Sequence, residues 1–143
     1  MRHLNKGRKL NRTASHRKAL LSNLASALIT YKRIVTTEPK AKELRRFAER
    51  LVTYAKKDEL HGRRLILKSI KGKANKKIAN ILIHEVAPNY INRNGGYTRI
   101  IKLENRKNDN AKRCLIEFVD IKVEEKTKKS KKADDTKNEK KDE

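Results

Sequence analysis

The sequence predicts a two-layer α+β domain: about four helices packed on a small three-stranded sheet, with a basic N-terminal arm and a disordered C-terminal tail. Three observations predict it. Apolar residues recur at helical spacing between Leu21 and Val86. The pattern then changes to strand-like runs at Tyr97–Glu104 and Cys114–Ile121, joined by a shorter β-branched run at Arg33–Thr37. Nearly all the hydrophobic residues lie between positions 19 and 121, so neither end can build a core. These limits divide the chain into an arm at 1–14, a folded domain at 15–122 and a Lys-rich tail at 123–143.

The arm shows no helical or alternating pattern, and Gly7 loosens its backbone, so by itself in water it is expected to be disordered. From Ser15 the pattern becomes helical, with Leu21, Leu24, Leu28 and Tyr31 at spacings of 3, 4 and 3 and Leu20, Ala25 and Ala27 beside them, a broad apolar stripe. Ser15 suits the N-cap, but Lys18 stands where a capping box needs Glu or Gln. His16, Arg17 and Lys18 therefore crowd the positive end of the helix dipole, at about 0.3–1 kcal/mol for each like-signed charge. A phosphate held on the free N–H groups there would remove that cost, whereas a solvated basic helix end would carry the same residues.

Thr37-Glu38-Pro39 marks the next helix start, with Thr or Glu as cap and Pro just inside. The helix from about Pro39 to Lys57 should bury Ala41, Leu44, Phe47, Ala48, Leu51 and Ala55, leaving Lys42, Arg46, Glu49 and Arg50 solvated. Asp58 or Glu59 opens a third helix, which Gly72 should cap. A fourth carries Ile78, Ile81, Leu82 and Val86 and should stop at Pro88, because Ala87 before the proline is biased away from helix. Asn105–Arg113 is a polar connection of hairpin type between the last two strands. Imperfect alternation leaves open which face of those strands is buried.

Charge narrows the function. The chain carries 39 Lys/Arg against 17 Asp/Glu, a net +22, and its first acid is Glu38. Such an excess opposes compaction unless a polyanion neutralises it. Aromatics make up only 4% and Trp is absent, which argues against stacking of unpaired bases and for helical or folded nucleic acid read through phosphate and shape. Cys114 is the only cysteine, so an intrachain disulfide and a Cys-cluster metal site are both excluded; it is expected to be buried in a strand. No apolar run approaches the ~18 residues that a membrane span needs. His3, His16, His61 and His84 lack HxxxH spacing, Gly95-Gly96 lacks the context of a phosphate loop, and paired carboxylates are not evident. Catalysis, metal and cofactor use are accordingly not expected. A DNA-compacting protein would share the charge pattern, but no coiled coil, helix-turn-helix or β-ribbon reader supports it.

Asn92–Arg99 (NRNGGYTR) is the second informative segment. Two glycines leave room for another backbone, Arg93 and Arg99 suit phosphate, and Tyr97 could pack on a sugar or base. A plain Asn-Gly turn into a strand fits the same residues.

Four blocks in order, MRHLNKGRKLNRTASHRKALLSNLASALI, IVTTEPKAKELR, GGYTRIIK and DNAKRCLIEFVD, resemble the L17 family of bacterial large-subunit ribosomal proteins. The similarity covers Met1 to about Asp120. The resemblance implies a two-layer α+β protein without enzymatic activity, cytoplasmic in the ribosome, bound to 23S rRNA beside other large-subunit proteins near the peptide-tunnel exit. It carries Arg2, His3, Lys6, Arg8, Lys9, Arg12, His16 and Arg17 over as rRNA contacts, with Lys18 beside them, and Gly95, Gly96, Tyr97, Thr98 and Arg99 as a second block next to Arg93. No small-molecule substrate and no membrane partner are implied. Two positions depart from the family pattern: Leu4 replaces a common basic residue, and Asn108 stands where Gly often precedes Asp109.

Overall fold

The computed structural model of the protein describes residues 7–57 and 59–121. Arg2, His3, Lys6 and the expected tail lie outside these residues. The elements run α1 (Ala14–Tyr31), β1 (Arg33–Thr37), α2 (Glu38–Ala55), α3 (Glu59–Ser69), α4 (Asn75–Ile81), a π-helical turn (Leu82–Val86), a 3-10 turn (Ala87–Tyr90), β2 (Thr98–Lys102) and β3 (Arg113–Phe118). The three strands form one antiparallel sheet in the order β1-β3-β2. Four helices pack on it, and the α+β class follows.

β3 is the central strand and decides which face is covered. Cys114, Ile116 and Phe118 alternate inward, while Arg113, Leu115 and Glu117 point the other way. Ile34, Ile116 and Ile100 stand side by side across the three strands and face the helices. α2 lies over this face and buries Ala41, Leu44, Ala48, Leu51, Val52 and Ala55. Fully buried Leu or Ile side chains such as Leu44, Leu51, Ile66 and Ile70 contribute about 1.5–3 kcal/mol each. The Cys114 thiol is buried as expected and donates to the Thr36 carbonyl at 3.6 Å. Burial pushes its pKa up.

Several expectations need correction. α1 begins at Ala14, one residue before the expected cap, and Thr13 occupies the N-cap position without a side-chain bond. Its buried face is Ser22, Ala25, Leu28 and Ile29, whereas Tyr31 is 67% exposed. Small residues at 22 and 25 share the buried face with the large Leu28 and Ile29, so burial here does not follow side-chain size alone. Gly72 does not cap α3: the helix ends at Ser69, and Gly72 sits in the following link at φ +126°. Pro88 does not end the fourth helical segment. Ala87 keeps α-helical angles (φ −59°, ψ −37°), and the rod continues to Tyr90 after widening into the π turn. Widening relieves the clash between a proline ring and the preceding turn, and a proline opening a 3-10 turn forfeits no needed N–H.

Gly62 explains how α3 reaches α2. A Cβ at this position would lie 2.2 Å from the Tyr54 carbonyl oxygen, so only glycine permits the crossing. The helical rod after α3 is anchored at its far end by Tyr90. Its ring lies 5.2 Å from Tyr97 and 6.4 Å from Phe118, and its hydroxyl donates to the Val119 carbonyl.

Candidate nucleic-acid interface

The first candidate region is the entry to α1. Lys9 to Arg12 forms a tight turn closed by the Arg12 N–H donating to the Lys9 carbonyl at 3.2 Å. Its two central residues, Leu10 (φ 56°) and Asn11 (φ 51°), are both left-handed. Asparagine tolerates this conformation; for Leu10 it costs roughly 1–2 kcal/mol. The turn aims the following residues at the helix start. There the Arg12 guanidinium lies against the His16 ring, 3.1 Å from Nδ1, and Arg17 donates back to the Arg12 carbonyl at 3.4 Å. Lys9, His16 and Lys18 are exposed, and the first turn of α1 holds no acid. The structure therefore brings Arg12, His16 and Arg17 together, with Lys18 on the next residue of the helix, at an 18-residue helix whose dipole presents its positive end here.

Upstream, Gly7 approaches α2 at Glu43, and Arg8 lines an open cavity of about 450 Å³ with Thr37, Glu38, Pro39, Lys42 and Lys112. The Lys42 ammonium donates to the Glu38 carboxylate at 2.6 Å and holds its pKa below the usual range. Lys102 and Lys112 add their charges to Lys42 around this carboxylate.

The second region, residues 92–99, divides. Gly95 and Gly96 are exposed, with nothing within 4 Å of where a Cβ would stand, and the φ of +65° at Gly96 is a left-handed value that favours glycine. Tyr97 and Thr98 do not face outward. Tyr97 is 3% exposed, and its ring packs on Tyr90, so the expectation that it stacks on a sugar or base is corrected. Thr98 is buried too and donates to Glu49 at 3.2 Å. An aromatic side chain beside a core finds more apolar surface inside than a loop can offer outside. Arg93 pairs with Asp120 at 3.1 Å and Arg99 with Glu117 at 3.8 Å, both still substantially exposed.

Two residues hold this region without any sequence signature of doing so. Lys56, at the end of α2, donates to the Arg93 carbonyl at 2.6 Å and to the Tyr97 hydroxyl at 3.3 Å. Glu49, expected to be merely solvated, accepts from both Arg45 and Thr98. Beyond it, the β2–β3 connection is clamped by the Arg106–Asp109 ion pair, which lowers the Asp109 carboxyl to about 2. Asn110 there adopts φ 52°.

Among the described residues no group of three His, Cys, Asp or Glu could hold a metal ion, and no helix is long and apolar enough to cross a membrane. His61 and His84 are exposed on helical surfaces.

The family model described as Ribosomal protein L17 matches residues 20–119. A relative from Agrobacterium fabrum, named large ribosomal subunit protein bL17, is 51% identical over 126 residues, which is 88% of this chain and 87% of the relative. A protein of the same name from Allorhizobium ampelinum is 50% identical over the same shares. With a matched core, half-identical relatives along nearly their full length and a sheet built from the blocks that carry the likeness, this chain belongs to the ribosomal protein L17 family.

Proposed function

We propose that this chain binds 23S rRNA in the large ribosomal subunit through phosphate and shape contacts, and that it supports subunit assembly beside neighbouring proteins near the peptide-tunnel exit. Membership in the family makes it a structural ribosomal protein rather than an enzyme, placed in the ribosome of the bacterial cytoplasm. The observation that carries the finer reading is the acid-free start of α1, where Arg12, His16, Arg17 and Lys18 converge on a long helix dipole. Arg8 and Lys9 extend that surface, and Arg2, His3 and Lys6 precede it in sequence. Arg93, Gly95, Gly96 and Arg99 form the second contact region, with Tyr97 and Thr98 as its buried supports.

Deleting residues 1–12 leaves Thr13 and the whole of α1 intact and tests the arm directly. The truncated protein should keep its circular dichroism spectrum and melting behaviour yet co-migrate poorly with the large subunit on sucrose gradients. Full incorporation of the truncated chain would remove the arm from the mechanism.

A further inference from the structure

From Leu60 to His84 the chain holds seven Lys/Arg residues and no acid. Arg64 and Lys68 lie one helical turn apart on α3, Lys71 follows just past its end, and all three are exposed. Lys73, Lys76 and Lys77 continue the ridge through the link and into α4, also exposed. None of these six has a carboxylate partner among the described residues. Elsewhere several cations are paired: Lys32 with Glu85, Lys42 with Glu38, Arg45 with Glu49, Arg93 with Asp120, and Arg99 with Glu117. The ridge is thus a run of exposed positive charge with no acid inside it.

The ridge is also anchored. Ser22, 2% exposed on α1, accepts from the Lys71 N–H at 2.9 Å and donates to the Lys71 carbonyl at 3.4 Å. One buried hydroxyl therefore fixes the backbone of the cationic link onto α1. Lys18 lies one turn before Ser22 on the same helix face, about 6 Å along the axis at 1.5 Å per residue. The link that carries Lys71 is therefore fastened to the same helix that presents Lys18.

We propose that the α3–α4 ridge is a second RNA-binding face, which takes the phosphate backbone of a folded RNA segment continuing from the one held at the start of α1. It rests on the rRNA-binding reading above and extends it to residues outside the arm and the Gly95-Gly96 segment. The chemistry selects phosphate: six exposed cations with no aromatic side chain among them offer charge without base stacking.

The test replaces Lys71, Lys73, Lys76 and Lys77 with Gln in the full chain. Binding to transcribed 23S rRNA is measured across a salt series, and incorporation is measured on gradients. The control variant, Lys42→Gln with Arg45→Gln, removes cations already paired within the protein. Four lost phosphate contacts should flatten the slope of log affinity against log salt by about 3, at roughly 0.7–0.9 per contact. A change no larger than the control's, with wild-type binding intact, would overturn the second face and leave the rRNA reading standing. A wild-type chain with no salt-dependent binding would overturn both. Unaltered RNA affinity combined with lost incorporation would point to an acidic protein neighbour and overturn the RNA assignment of this ridge.

Discussion

Tyr90 shows how much one buried phenol can carry. It is 1% exposed, and burial, reinforced by the nearby Asp120 carboxylate, pushes its pKa up to about 12. A raised folded value means that the neutral form is favoured in the native state. Its contribution is complete below the ordinary value of 10 and is lost as pH climbs through about 12. Within that window stability should fall by up to about 1.4 kcal/mol per pH unit from this group alone. Tyr90→Phe should lower stability near pH 7 by about 1–3 kcal/mol, because the Val119 carbonyl loses its donor. It should also remove the Tyr90 share of the alkaline decline, seen as converging urea midpoints of wild type and variant between pH 10 and 12. At this scale the sequence was least informative. Nothing in NRNGGYTR says that Tyr97 turns inward, because the choice depends on apolar surface supplied by Tyr90 and, against it, Phe118 of β3.

Elements were far more legible, and their misreadings share a cause. β1 matches its β-branched run residue for residue, and α2 buries five of the six residues its periodicity named, with Phe47 half-covered and Val52 taking a full place. Both signals are local. The face of α1, the passage through Pro88 and the role of Gly62 depend instead on a neighbouring element. Gly62 looks like a weak point in a helix, since glycine costs about 1 kcal/mol against alanine there. The crossing with α2 reverses the balance. Gly62→Ala should destabilise the fold by about 1–3 kcal/mol through overpacking against the Tyr54 carbonyl, measured as a lower thermal midpoint. A variant as stable as wild type would mean that α3 can shift freely on α2.

For the whole molecule, composition was the clearest guide. A net charge of +22 and the confinement of apolar residues to one stretch were enough to separate a charged surface from a core and to direct attention to a polyanion. The arm could be marked out because charge runs need no tertiary partner to be seen. The ridge on α3 and α4 was not singled out from the sequence, because its placement depends on Ser22, which ties the link to α1 from 49 residues away. Likewise the pairing of Arg99 with Glu117 required the strand register, which spacing alone does not provide.

The chain's single sulfur nucleophile sits in the middle strand, sealed beneath α2 and drawn toward the Thr36 carbonyl. A thiol reagent can reach it only when the strands part, so the rate at which Cys114 is alkylated is a clock for opening of the fold. That clock should slow when polyanion binds the native surface and run fast in denaturant, with no engineered label required. Labelling as quick as that of a free peptide thiol in native buffer would show that the central strand is not closed.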